Sequence, residues 1–440
     1  MTYKAIIAPV KVRNHPNADN LQLADVAGST IVIGLETTDG ALGVFFPTDG
    51  KLSPEYCSAN DLYPIKDPET GERTGGGYFT LGKERVRSQR FRGEKSEGYW
   101  APVSSLAYTG YDLSKLVAGF EFDELNGHKV CEKYYTPATL RAMKGGKLRR
   151  QNEWFPPHVD TEQLKWNLNK VVPGSLVTIT LKMHGTSARI SHVLDEVKVP
   201  RKWWQKLLRR PEQTRPEWAH LVGTRRTILR DPNETVGGFY GDEAFRWKAV
   251  EDVLPHLRKG EIVYGELVGY LPDGRPIMGS QSTKEMKELK KQYGPTMTYS
   301  YGCAEGQCKF VVYRIAVITE DKHVVDYSWS QVKARATELG LETVPELSGT
   351  RPFPLPNTGS EEEDNRVINE ILRPHLMKSC EDLAIGPDPT DSRHIREGVV
   401  VRLDQPSGKT EFYKLKSFDF GVLEGYLKQS DSYVDTEEIA

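Results

Sequence analysis

The sequence predicts an α+β protein with two unlike halves. Three observations lead to that class. Through residue 130, short runs of β-branched and apolar residues are cut by turn signals. From residue 155, longer strand runs mix with helical segments, a pattern rich in antiparallel sheet. With 38% hydrophobic and 10% aromatic residues, a chain of 440 residues can build the cores of two or three domains.

In the first half the strand runs are AIIAPVKV (5–12), STIVIGLE (29–36) and ALGVFFP (41–47). Asp39-Gly40, Asp49-Gly50 and Gly75-Gly76-Gly77 punctuate them. Such spacing suggests a small barrel or sandwich over residues 1–130. Residues 131–154 follow as a basic linker or exposed arm, with Arg141, Lys144, Lys147, Arg149 and Arg150 around Gly145-Gly146.

Residues 155–430 form the second expected domain. Its strand runs are SLVTITLKMHG (175–185), GEIVYGELVGY (260–270), KFVVYRIAVI (309–318), REGVVVRL (396–403) and EFYKLKSF (411–418). Helices are expected over 283–294, 330–340 and 365–379; Ser328 or Ser330 starts the second and Gly340 ends it. Two insertions stand out: a basic, aromatic one at 194–217 and a Pro-rich, then acidic, surface loop at 349–364. Residues 431–440 are an acidic tail.

Lys+Arg (59) nearly cancels Asp+Glu (61), which excludes a histone-like protein and an acidic disordered chain. A local basic groove on a neutral protein stays possible. No apolar run approaches the roughly 20 residues of a membrane span, and the N-terminus lacks a signal-peptide core. Five cysteines suit a reducing, cytoplasmic setting rather than a disulfide scaffold. Cys303 and Cys308 have no second pair to complete a zinc site. A monomer is the default expectation.

The chemistry-bearing residues lie in the second half. Lys182, in KMHGTSAR, follows an apolar strand and opens a glycine-containing turn. A lysine beside Gly185 and two hydroxyl residues suits covalent catalysis on a nucleotide, once the amine sheds its proton. Taken alone, a lysine on a strand is usually just solvent-facing. Lys414 and Lys416 are two apart and share one face of a strand, where they attract phosphate or protect an edge. Glu266 and Glu397 each sit in an apolar strand run. Buried carboxylates need a partner, so these two are either salt-bridged or serve a hard divalent metal and a ribose hydroxyl. Arg225 and Arg226 are expected in a strand downstream of Lys182, suited to gripping phosphate.

In chain order these segments resemble the motifs of the covalent nucleotidyltransferase superfamily, which holds ATP-dependent DNA ligases, RNA ligases and mRNA capping enzymes. KMHGTS resembles motif I, GTRRTI motif Ia, VYGELVG motif III, KFVVYRIAV motif IIIa, REGVVVR motif IV and YKLK motif V. The form with His184 is closer to the RNA ligase 2-like branch than to DNA ligases, which favour Asp there. The resemblance covers residues 155–420. It implies an adenylyltransferase domain with an ATP-grasp-like ligase fold. It also implies an ATP-dependent RNA ligase that joins 3′-hydroxyl and 5′-phosphate ends in RNA repair. The nucleotide would be carried as AMP on Lys182. By that resemblance Lys182, His184, Gly185, Arg225, Glu266, Lys414 and Lys416 bind ATP, Tyr313 or Phe310 stacks on adenine, and Glu397 and Glu266 hold Mg²⁺ or Mn²⁺. The usual Phe-Asp pair of motif IIIa reads Tyr313-Arg314 here.

In the first half, NHPNADNLQLADV (14–26) and RFRGEKSEGYW (90–100) resemble the tRNA-binding OB module of some aminoacyl-tRNA synthetases. That resemblance implies an OB-type barrel contacting RNA through Arg85, Arg87, Arg90, Arg92 and Lys95. Tyr99 and Trp100 are either base-stacking or core residues. The alternatives are a DNA or mixed-nick ligase, a capping enzyme, and a non-catalytic RNA-binding protein with a decayed transferase half.

Overall fold

The computed structural model describes residues 3–144, 151–199, 214–229, 240 and 244–428. Lys147, Arg149 and Arg150, most of the 194–217 insertion and the acidic tail lie outside the described residues. The described residues form two compact units, one within Met1–Thr136 and Gly421–Asp431, the other within Pro137–Phe420. The fold is mixed α and β, with mostly antiparallel sheets. No described helix is long and apolar enough to cross a membrane.

The first unit contains β1 (Ala5–Pro9), β2 (Lys11–Asn14), β3 (Leu21–Val26), β4 (Ser29–Gly34), β5 (Leu42–Phe46), β6 (Ser88–Phe91), β7 (Glu94–Glu97) and β8 (Tyr99–Pro102). The run at 5–12 is therefore two strands that join different sheets. In β5, side-chain alternation sends Phe45 into one apolar cluster, with Trp100 and Ile31, and Val44 and Phe46 into another, with Tyr56 and Leu106. Trp100 is a core residue and Tyr99 packs on the second cluster. Among the described residues the strands form no closed barrel. The β2–β3–β4 meander and the β6–β7 hairpin each pair only within themselves.

The second unit is built on two sheets. One has the order Glu162–Gln163, β16 (Thr410–Lys416), β15 (Gly398–Asp404), β9 (Leu176–Lys182) and β14 (Glu346–Pro352). In the other, Ile228–Leu229, β11 (Thr214–Gly223), β10 (Thr186–Lys198), β12 (Glu261–Gly269), β13 (Cys308–Ile318) and Val324–Asp326 run in that order. Every residue of β12 is buried, as expected of a central strand.

Two expectations are corrected here. Arg225 and Arg226 do not lie in a strand; they form the tip of a tight turn between β11 and Ile228–Leu229. The Thr224 N–H donates to the Thr227 carbonyl at 2.8 Å, and the Thr224 hydroxyl accepts from the Thr227 N–H at 3.1 Å, closing that turn. The 349–364 segment is not one loop. Its start continues β14, which pairs with β9. Its end enters a helix over Glu361–Val367 capped by Ser360.

Helix α1 (Trp329–Glu338) starts from a capping box between Ser328 and Gln331. Arg335 on α1 grips the buried Glu261 carboxylate through two contacts of 2.8 Å, which fixes the helix to β12. Helix α2 (Arg373–Ala384) covers the back of the five-stranded sheet, and α3 (Phe418–Leu427) follows β16.

Candidate active site

Strand alternation divides the five-stranded sheet into two chemical faces. Val177, Ile179, Val399, Val401, Tyr413 and Leu415 pack toward α2, against Met377 and Cys380. Burial of each such side chain stabilises the unit by about 1.5–3 kcal/mol. The intervening residues Thr180, Lys182, Val400, Arg402, Phe412 and Lys414 line a cavity on the opposite face. Register aligns them in rows: Thr180, Val400 and Lys414 lie across three strands, and so do Lys182, Gly398 and Lys416.

Lys182 is the last residue of β9, and β10 begins at Thr186 in the other sheet. The turn Met183-His184-Gly185 thus carries the chain from one sheet to the other. Gly185 is required by close approach. A Cβ there would lie 2.5 Å from the Leu267 carbonyl oxygen and 2.7 Å from Cγ of Glu266. Gly398 is equally constrained, since its Cβ would meet the Leu415 carbonyl at 2.1 Å. These glycines let the strands bearing Glu266 and Lys416 approach the Lys182 turn.

The second wall comes from the larger sheet. Ser187 on β10 stands opposite Glu266 on β12 and its hydroxyl donates to Glu266 Oε2 at 3.3 Å. Between β12 and β13 the register slips: Tyr264 faces Arg314, whereas Gly265 faces Val312. Tyr313 is the extra residue of this bulge, and so the consecutive residues Tyr313 and Arg314 both line the cavity.

Just before β15, the side chain of Glu397 is completely buried. Its Oε1 lies 2.7 Å from Lys182 Nζ and 3.7 Å from Lys416 Nζ, and its Oε2 lies 3.7 Å from His184 Nδ1. Burial pushes the Glu397 carboxyl up. Lys182, the His184 ring and Lys416 outweigh it and hold the group below the usual carboxylate range.

The remaining wall is basic and aromatic. Arg225 reaches the cavity from its turn, anchored by a 2.7 Å contact to Asp160. His158 shares a hydrogen bond with the Tyr313 hydroxyl. Burial, then the charges of Arg189, Arg225 and Arg314, hold His158 well below its ordinary range, so it is neutral. Arg314 is held by Asp326, and Arg402 donates to Asp404 at 3.0 Å. A cavity with two amines, several guanidinium groups, aromatic faces and one carboxylate suits an anionic, aromatic ligand such as a nucleotide.

The sequence profile of the RNA ligase family matches residues 175–416, more than half of the chain. The chain belongs to the RNA ligase family. No curated protein matches its sequence. Among solved structures, an apo mutant of the Naegleria gruberi RNA ligase matches with 16% identity and a TM-score of 0.57, covering 96% of this chain and 98% of that one. Another mutant of that ligase, with ATP and Mn, matches with 16% identity and a TM-score of 0.56, covering 98% and 99%. The same ligase with PPi gives 16% identity and a TM-score of 0.55, again over 98% and 99%. The likeness is one of fold.

In this RNA ligase family member, Lys182, Arg225, Glu266, Tyr313 and Lys414 line one cavity. Lys416 and His184 meet at Glu397 instead. His184 is buried with its ring edge-on to Tyr299 and Phe420. Phe310 is not a lining residue; it packs where a Cβ on Gly265 would touch it at 2.6 Å. The sequence reading missed His158, Arg402 and Trp329. Arg402 could have been found, because it alternates with Gly398 and Val400. His158 lies before the first motif and carries no local signal.

The two resembling segments of the first unit come together. His15 Nε2 lies 3.2 Å from the Phe91 carbonyl, and the Asn17 amide donates to the Arg92 carbonyl at 3.1 Å. Arg90 and Lys95 face each other across the β6–β7 hairpin, with Arg92 at its turn; Arg90 and Arg92 are exposed. Arg87 is half-buried and its guanidinium lies 5.9 Å from the Tyr426 ring. Arg85 donates to the Gly425 carbonyl at 3.0 Å.

Proposed function

We propose that this protein is an ATP-dependent RNA ligase that joins 3′-hydroxyl and 5′-phosphate ends through lysyl-AMP and RNA-adenylate intermediates. The observation that carries this reading is the position of Lys182. It stands where the two sheets meet, in a cavity shared with Lys414, Glu266, Arg225 and Tyr313.

The chemistry follows from that placement. The Lys182 ion pair with Glu397 opens, the amine loses its proton, and Nζ attacks the α-phosphorus of ATP. A P–N bond forms as the bond to pyrophosphate breaks. AMP then passes to an RNA 5′-phosphate, and a 3′-hydroxyl displaces it. Lys414 and Lys416 stabilise charge on the α-phosphate. Tyr313 offers a face for adenine, Glu266 holds the ribose, and Arg225 grips a sugar or phosphate oxygen.

The implied divalent metal fits only in one form. No group of three His, Cys, Asp or Glu residues that could cage an ion occurs among the described residues. Glu266 lines the cavity, and Glu397 pairs with Lys182, which also lines it. One or two carboxylates with waters and phosphate oxygens suit Mg²⁺ or Mn²⁺. Such an ion supplies charge neutralisation on the triphosphate.

We read the first unit as an OB-type module, ending near residue 130, that presents Arg87, Arg90, Arg92 and Lys95 to RNA. The joined 14–26 and 90–100 segments support this module; the proposed role in RNA repair rests on the resemblance of the motifs. Sealing assays with RNA or DNA on each side of a nick test the polymer preference. Sealing confined to DNA strands would remove the RNA assignment.

A further inference from the structure

Tyr301 adopts φ +50°, in the left-handed region that bulky side chains rarely occupy. It is 3% exposed. Such strain persists only where the surroundings over-determine it. Here both flanking residues are held by one carboxylate. Asp391 Oδ2 accepts from the Ser300 hydroxyl at 2.5 Å and from the Gly302 N–H at 3.1 Å. Arg393 completes the clamp, donating to Asp391 at 2.8 Å and to Ser300 Oγ at 2.9 Å. The His394 ring packs edge-on against Tyr301 at 4.7 Å.

The clamped side chain reaches the motif I turn. The backbone N–H of His184 donates to the Tyr301 hydroxyl at 2.6 Å. His184 is two residues beyond Lys182, in the turn that joins the two sheets. Asp391 lies on the segment that leads to Glu397, the partner of Lys182. One brace therefore ties the lysine turn to the carboxylate-bearing segment from a third point of the chain.

We propose that Tyr301, held by Asp391, is a positioning residue that fixes the Lys182 turn for attack on the nucleotide. This rests on the ligase reading above. Tyr301 touches no reacting atom; it acts through the His184 amide. The step it serves is transfer of AMP to Lys182. Joining of RNA that is already adenylated does not use the Lys182 amine as a nucleophile.

The test compares wild type, Tyr301→Phe and Asp391→Asn in two assays: single-turnover labelling by ATP and joining of pre-adenylated RNA. Loss of the hydroxyl removes one hydrogen bond, so labelling by Tyr301→Phe is expected to slow about tenfold. The ATP concentration for half-maximal rate and the joining of pre-adenylated RNA are expected to stay at wild-type values. Asp391→Asn is expected to show the same split. Equal losses in both assays indicate a merely structural role and overturn the proposal, as does unchanged labelling in Tyr301→Phe. A wild-type protein that takes no label overturns the ligase reading first, and the positioning role falls with it.

Discussion

Lys182 and Glu397 meet at 2.7 Å because strand register brings Gly398 directly opposite Lys182. Lys182 ends β9, and Glu397 is the residue just before β15. The same register sets Lys416 across from Gly398, so a second ammonium approaches the same carboxylate oxygen at 3.7 Å. A fully buried charge is tolerated here because opposite charges converge on it.

Replacing Glu397 with Gln removes the charge that Lys182 and Lys416 share. Breaking a buried ion pair by deleting one partner typically costs about 3–5 kcal/mol. Urea unfolding is expected to show a loss of that order, and labelling by ATP is expected to fall with it. Unchanged stability would mean that the pairing contributes nothing to the folded state.

Gly185→Ala introduces a Cβ within 2.5 Å of the Leu267 carbonyl, so the turn or β12 must shift. Overpacking of this kind costs about 1–3 kcal/mol. The expected outcome is a lower thermal midpoint and slower adenylylation. Gly279→Ala, which meets nothing within 4 Å, serves as the neutral control.

Tyr313→Ala removes one of the aromatic rings that line the cavity. The half-saturating ATP concentration is expected to rise about tenfold, since aromatic contacts contribute about 0.5–1.5 kcal/mol beyond their buried area. Tyr313→Phe keeps the ring and loses only the bond to His158, so its shift should be smaller. Equal effects of the two variants would place the binding role in the hydroxyl.

Stability should depend on pH in the acid direction. Burial holds His158 and His394 below their ordinary range, with Asp388 and Asp391 opposing the shift at His394. In the unfolded chain both take up protons near pH 6.5. Their contribution is therefore complete above about 6.5 and is lost as pH falls toward their folded values. Thermal melts should show the midpoint declining below that pH. His158→Gln should make the decline less steep.

Much of this site was legible in the sequence, and the reasons are local. Lys414 and Lys416 show their shared face through alternation, and Gly185 marks the turn beside Lys182. The remainder depended on non-local pairing. The Tyr313 bulge arises from how β13 pairs with β12, and alternation alone puts Tyr313 and Arg314 on opposite faces. The Arg225 turn looked like strand because apolar residues flank it, while the Thr224–Thr227 bonds close it. Tyr301 lies in a run without motif character, and its value comes from a contact to a turn more than a hundred residues away.

The central claim is that Lys182 carries the nucleotide. Purified protein incubated with α-labelled ATP and Mg²⁺ or Mn²⁺, then run on a denaturing gel, tests it most directly. The account predicts a labelled protein band from ATP in wild type and none in Lys182→Ala. A label that persists in Lys182→Ala, or a wild type that takes no label from ATP with either metal, contradicts it.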